Sequence, residues 1–381
     1  MSNLGGTAGI FMLVLYMDRH FFIFKATIIS IEKWIIEKRG EKEKMKKLFK
    51  KAVKLLGVFG LAVTLASCGK SGEVDIHANK IGTGNQKIAV VKYMSHTSLN
   101  EIEDSIVSEI VDKLDEKDYT LTKYDGAADA GIISQTMANL KSANTDVVIC
   151  IATPVAIAAK TAFVGTNTKV VFAAVSDPVS ANIVANLNSP EGNITGTSDA
   201  VDLDKQLELA YQVNPSLKNI GYIYTGGEAN SLANFTRLEA LAKEKGFNLV
   251  DRQINSPAEI TEVANAILSK IDALIVTDDN NVASAMPTLS TLLIQNKVPC
   301  YCAADSEIKD GGMMGYSINY TKLGKDTATM AIDLLGGKSV KDVPVKAYAA
   351  NELSLYYNSI FIRNAGITIP SDLLSKGKDL A

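Results

Sequence analysis

The chain has 381 residues, 39 Lys+Arg against 42 Asp+Glu, a net charge of −3 and 47% hydrophobic residues. Its basic residues are front-loaded: residues 1–67 hold 12 Lys+Arg and 5 Asp+Glu, so residues 68–381 carry 27 against 37, a net charge of −10. An acidic body of this kind is a poor nucleic-acid binder, because neutralising phosphates takes clustered Lys and Arg, and the scattered cysteines Cys68, Cys150, Cys300 and Cys302 make neither a disulfide framework nor a metal site.

In chain order, residues 1–44 come first. Residues 10–24 are apolar but broken by Asp18, Arg19 and His20, and residues 32–47 are dense in charge. They read as upstream sequence translated from a misplaced start; the alternative is a transmembrane anchor. Met45-Lys46-Lys47 opens a second, conventional start. A basic stretch, an apolar run over 55–65 and then Leu65-Ala66-Ser67-Cys68-Gly69 make a secretory signal layout over 45–67. The run is about a dozen residues, short of the roughly 20 a spanning helix needs. Leu-Ala-Ser-Cys resembles the lipobox of bacterial lipoproteins. That resemblance implies cleavage before Cys68, lipid on its thiol and anchoring outside the cell membrane. Residues 68–86, rich in Gly, Ser, Asn and charge, read as a tether.

From Lys87 short apolar runs alternate with amphipathic helices, the pattern of an α/β protein with parallel sheets. Strands are expected at 88–93, 119–124, 147–152 and 170–175. Helices are expected between them, the first marked by Ile102, Ile106, Ile110 and Leu114 on one face. The pattern then restarts: helix 203–213, strand 220–224, helix 230–245, strand 247–252, helix 257–270, strand 273–277, helix 282–295, strand 298–303. Two doubly wound parallel-sheet lobes follow, one over 87–199 plus 311–340 and the other over 200–310 plus 341–381. In this reading strand 313–318 and helix 323–335 return to the first lobe, and the chain from 345 belongs to the second.

Ligands of open parallel sheets bind beyond the carboxyl ends of the strands. Here those ends are polar: Ser95-His96-Thr97-Ser98, Thr153, Ser176-Asp177, Asn230-Ser231, Asp278-Asp279-Asn280 and Asp305-Ser306. Helix N-termini at the same end offer N–H groups to an anion. Hydroxyls and N–H groups for a carboxylate, with Asp for an ammonium, suit an α-amino acid. Thr153, Ser176, Asn230, Asp278 and Asp305 also stand where helix caps are expected. Catalytic motifs are lacking: there is no His-Glu-x-x-His or Gly-x-Ser-x-Gly, and Gly336-Gly337-Lys338-Ser339 lacks the first glycine of a P-loop.

The stretches Ile151-Ala152-Thr153-Pro154, Ser176-Asp177-Pro178, Gly192-Asn193-Ile194-Thr195-Gly196-Thr197-Ser198, Glu228-Ala229-Asn230-Ser231, Asp279-Asn280, Ala304-Asp305 and Tyr320-Thr321-Lys322-Leu323-Gly324 run in this order along the chain. In that order and spacing the chain resembles the ABC-transporter substrate-binding proteins of the tryptophan/tyrosine type. The resemblance implies two lobes of the periplasmic-binding-protein fold, type I, closing about a hinge. It implies no cofactor, an aromatic amino acid as ligand, and a permease with its ATPase as partners. Carried over by motif, the pocket residues are His96, Ala152, Thr153, Asp177, Thr197, Ser198, Asn230, Asp279 and Asp305. After His96 the family often has Pro, where this chain has Thr97. Tyr93 and Tyr316 are candidates for stacking on the ligand. A two-lobe sensor domain of a signalling receptor for a carboxylate or amino acid is the second reading, since the fold alone does not separate the two.

Overall fold

The computed structural model describes residues 80–381; Cys68, the 45–67 signal segment, residues 1–44 and the tether up to residue 79 lie outside the described residues. The strands are β1 (Lys80–Ile81), β2 (Gln86–Lys92), β3 (Tyr119–Asp125), β4 (Val147–Ile151), β5 (Lys169–Ala173), β6 (Ile194–Ser198), β7 (Asn219–Thr225), β8 (Asn248–Ile254), β9 (Ala273–Val276), β10 (Cys300–Cys302), β11 (Met314–Ser317), β12 (Lys346–Ala347), β13 (Ser354–Tyr357) and β14 (Lys378–Asp379). The α-helices are α1 (Thr97–Lys113), α2 (Ala130–Ser142), α3 (Thr153–Phe163), α4 (Leu203–Val213), α5 (Ala229–Lys245), α6 (Ile260–Ile267), α7 (Asn280–Ser284), α8 (Met286–Asn296), α9 (Asp305–Lys309), α10 (Tyr320–Leu335), α11 (Ser359–Ala365) and α12 (Ser371–Lys376).

They build two seven-stranded sheets, in the orders β1-β3-β2-β4-β5-β6-β12 and β14-β13-β11-β10-β9-β7-β8. All pairings are parallel except β1 with β3 and β11 with β13. The first sheet is covered on both faces, which is why its strands are near-continuously apolar. Ile88, Val90, Ile149 and Ile151 pack with α1 and α10, whereas Ala89, Val91, Val148 and Cys150 pack with α2 and α3. The second sheet has its own core, with Tyr222, Ile275, Leu289 and Tyr301 fully or almost fully buried. Helix starts follow local chemistry: Asp129, Asp202, Asp279, Asn319 and Asn358 each accept the N–H three residues on.

The α/β class and the two lobes are as the pattern predicts, with four corrections. First, Lys80–Ile81, expected in the tether, adds an antiparallel edge strand opposite Leu121 and Thr122. Second, β11 belongs to the second sheet, with Met314 beside Tyr301 and Gly315 opposite Tyr356. A Cβ on Gly315 would stand 1.9 Å from the Cys302 carbonyl oxygen, so the pairing itself requires glycine. Third, β12 pairs with Thr197 and Ser198 of β6, so residues 346–347 belong to the first sheet. Fourth, the helix expected over 282–295 is two helices broken at Ala285, because Pro287 lacks the N–H a continuous helix would need and starts a new one instead.

The chain therefore passes between the sheets three times: after β6, between β11 and α10, and between β12 and β13. Helix α10 returns to the first lobe, where Gly324 lets it approach α1 closely; a Cβ there would meet Ser105 Cβ at 2.7 Å and the Ile102 carbonyl at 2.8 Å. Among the described residues, no helix is long and apolar enough to cross a membrane.

Candidate functional site

The carboxyl ends of both sheets face each other across a cleft. Its lining comes from the first lobe (His96, Ser98, Leu99, Ala152, Thr153, Ala174), the second lobe (Asn230, Asp278, Asp279, Asn280, Ala283, Glu307) and the crossings between them (Asp199, Tyr320). The enclosed space is about 20 Å³, room for about one water. The lobes touch directly: His96 Nε2 lies 3.2 Å from Asn280 Oδ1, Ser98 Oγ 2.6 Å from Ser306 Oγ, and the Ser176 hydroxyl donates to Asp278.

Two strand ends carry backbone strain. Ala152, where β4 meets α3, has φ +80° and ψ 154°, a region occupied almost exclusively by glycine. Ala174, just past β5, has φ +53°. Both line the cleft, and such conformations cost about 1–3 kcal/mol each. The first brings the N-terminus of α3 and Thr153 to the cavity.

The electrostatics are one-sided. Asp199, Asp278, Asp279 and Glu307 line the cavity, Glu228 sits behind Asn230 and Asn280, and no Lys or Arg is in the lining. Burial raises Asp278 well above the usual carboxylate range, and the charge of Asp199 adds to it. Burial also raises Asp199, against the hydrogen bond from Tyr320 Oη (3.0 Å) and the contact with Ser176 Oγ (3.1 Å). Glu307 is raised by burial, with Asp278 and Asp279 among the neighbouring charges. Burial and then Asp279 push Glu228 up to about 7. Ser176 Oγ lies between Asp199 and Asp278 and links the two carboxyl groups across the cleft; its one hydrogen goes to Asp278, so in this arrangement Asp199 contacts it through a proton of its own. Burial lowers His96 to about 4, so its imidazole is neutral at neutral pH.

The residues predicted from the sequence divide into two groups. His96, Ala152, Thr153, Asn230 and Asp279 line the cavity. Asp177, Thr197, Ser198 and Asp305 do not. Asp177 accepts the Ser180 N–H in a turn. The Thr197 hydroxyl pairs with that of Thr327 at 2.8 Å, and Ser198 Oγ donates to the Ser176 carbonyl. Asp305 pairs with Lys309 at 3.1 Å and accepts from Asn319 Nδ2. Of the stacking candidates, Tyr316 lies under the Lys205 ammonium, 4.5 Å from its ring centroid, and packs on the second core. Tyr93 is pushed up to about 12 by burial and by Glu228 and Asp279 across the cleft. The sequence names Ser98, Asp278 and Asn280 among the polar strand ends and Tyr320 within a motif without placing them in the pocket, and it does not single out Asp199 or Glu307. Asp199 directly follows the Thr197-Ser198 motif and Asp278 precedes Asp279, so both were one position from a residue that was chosen. Among the described residues, no group of three or more His, Cys, Asp or Glu is arranged to hold a metal ion.

A two-lobe molecule with polar strand ends meeting over an acidic cleft is the geometry of a solute receptor, and residues 87–380 match the family described as ABC transporter substrate-binding protein. The chain belongs to that family. A tyrosine-binding protein of Clostridioides difficile is 31% identical over 303 residues, 78% of this chain and 87% of the relative. An ABC domain from Streptococcus pneumonia, solved in complex with L-Trp, is 30% identical with a TM-score of 0.71, covering 77% of this chain and 98% of that one. The ligand-free, open structure of a substrate-binding protein with adhesive properties from Clostridium difficile is also 30% identical, covers 77% of this chain and 99% of its own, and has a TM-score of 0.59. At equal identity and coverage, this substrate-binding protein fits the tryptophan complex better than the open form, in keeping with lobes that touch across the cleft.

Proposed function

We propose that the protein is the extracytoplasmic receptor of an ABC importer, held to the membrane by lipid on Cys68, and that it captures an aromatic amino acid of the tyrosine or tryptophan type. The observation that carries this reading is the Asp199–Ser176–Asp278 bridge. The buried carboxylate of Asp199 and the part-buried carboxylate of Asp278 meet from the two sides of the cleft where the lining holds no Lys or Arg. Buried carboxylates take up protons or pair with a cation. An ammonium supplies charge and three donors together. Asn230 adds a third acceptor beside them, since its Nδ2 donates to the Asp278 carbonyl and its Oδ1 is buried without a partner. The ligand carboxylate is matched by Ser98, Thr153 and the N-terminal N–H groups of α1 and α3. The relatives that bind tyrosine and tryptophan support the aromatic side chain.

Function is then binding without chemistry. The cleft as it stands has room for about one water, so the ligand enters between separated lobes, keeps them further apart than here, and stabilises that ligand-filled closed form through its higher affinity for it. The loaded protein delivers its cargo to a permease driven by an ATPase. Charge-assisted hydrogen bonds in a closed cleft suit a micromolar Kd, roughly −8 kcal/mol.

Calorimetric titration with L-tyrosine, L-tryptophan and the other amino acids tests the reading. The expected result is saturable binding of an aromatic amino acid. Absence of binding by every aromatic amino acid would remove the assignment. Trp34 is the chain's one tryptophan and lies in the segment upstream of Cys68, so bound L-tryptophan dominates the emission of the processed protein.

A further inference from the structure

His96 has one ring nitrogen committed and one free. It stands at the N-cap of α1 without capping it, and its ring lines the cavity. Nε2 lies 3.2 Å from Asn280 Oδ1. The orientation of that amide follows from its other end: Asn280 Nδ2 donates to the Glu228 carboxylate, which leaves the oxygen facing the imidazole. Nε2 must therefore carry the hydrogen. In a neutral imidazole, Nδ1 is then an acceptor, and Nδ1 is buried with no hydrogen-bond partner. Burial and the nearby Lys92 ammonium both favour the neutral ring. Lys92 itself is engaged by Asn100 and Glu103 on the lobe's own side.

A buried acceptor left without a donor costs about 1–3 kcal/mol, so the cleft is built to receive a donor here. The ligand's ammonium already has three acceptors: Asp199, Asp278 and Asn230 Oδ1. His96 Nδ1 is a fourth and calls for a further donor on the ligand. We propose that His96, held in its Nε2–H tautomer by the Asn280–Glu228 pair, reads the side-chain donor of the ligand, a phenol O–H or indole N–H, and so makes the cleft select tyrosine or tryptophan against phenylalanine. The proposal rests on the aromatic amino-acid reading above. Asn280 and Glu228 act as positioning residues, because they orient the ring without supplying the acceptor themselves.

The test compares L-tyrosine and L-phenylalanine by calorimetry on the whole protein. The wild type is expected to prefer L-tyrosine by at least about 10-fold, the ratio that roughly 1.4 kcal/mol provides. His96→Leu, which removes the acceptor, is expected to bring the ratio close to one. His96→Asn, which returns an acceptor oxygen, is expected to hold the ratio above that of His96→Leu. Equal wild-type affinity for the two ligands, an unchanged ratio in His96→Leu, or identical ratios in the two variants would overturn the role of His96 while leaving the amino-acid reading standing. Failure of every aromatic amino acid to bind would overturn both.

Discussion

Asp278 and Asp279 are neighbours with opposite duties. Asp279 accepts from the Thr225 N–H at 2.6 Å, the Thr225 hydroxyl at 2.9 Å, the Val282 N–H at 2.9 Å and the Ser231 hydroxyl, all within its own lobe. It ties the end of β7 to the starts of α5 and α7, and these donors occupy its lone pairs. Asp278 accepts from Asn234 on its own lobe and Ser176 on the other. Replacing Asp279 with Ala leaves the buried Thr225 and Ser231 hydroxyls short of an acceptor and removes a helix cap. The expected cost is about 2–4 kcal/mol, seen as a fall of several degrees in melting temperature. An unchanged melting temperature together with lost ligand binding would return Asp279 to the role of a ligand contact. A motif places a polar residue at a strand end, but the direction its side chain takes depends on partners far away in sequence. Thr197 finds Thr327, 130 residues on, whereas Asp305 is drawn aside nearer by, to Lys309 one helical turn on and to Asn319. This is why nine residues chosen by motif yield five in the cavity lining.

At the scale of elements, periodicity recovers most of what is seen between β2 and β10, because doubly covered parallel strands and amphipathic helices have distinct apolar patterns. It does not reveal which sheet a strand joins. β11 is four residues long, and β12 only two; each is assigned by pairing partners rather than by its own composition. Gly315 was the one local sign, since a strand glycine marks close backbone approach. The segment over 45–68 carries its own prediction, based on layout alone. The processed protein begins at Cys68 with a lipidated thiol. Mass spectrometry of the protein extracted from membranes checks this; an intact residue 1–67 segment in the mature chain would refute it.

At the scale of the whole molecule, three crossings let two lobes move about a common hinge, and few contacts hold them closed. Besides His96–Asn280, Ser98–Ser306 and Ser176–Asp278, the Glu101–Lys309 ion pair bridges them at 2.8 Å, and a half-exposed pair of this kind is worth about 0–1 kcal/mol. Closing brings Asp199 up to Asp278 with no lining cation. Burial raises both, and the charge of Asp199 raises Asp278 further. Closure therefore takes up protons, is favoured at low pH, and loses that support as pH rises through the raised values. At about pH 7.5 an ammonium must supply what protons no longer do. Small-angle X-ray scattering at that pH, with saturating L-tyrosine or its desamino analogue 3-(4-hydroxyphenyl)propionate, measures this directly. The predicted result is a smaller radius of gyration with L-tyrosine and no contraction with the analogue. Equal contraction with both, or an unchanged radius with L-tyrosine bound, would contradict closure driven by the ligand's ammonium.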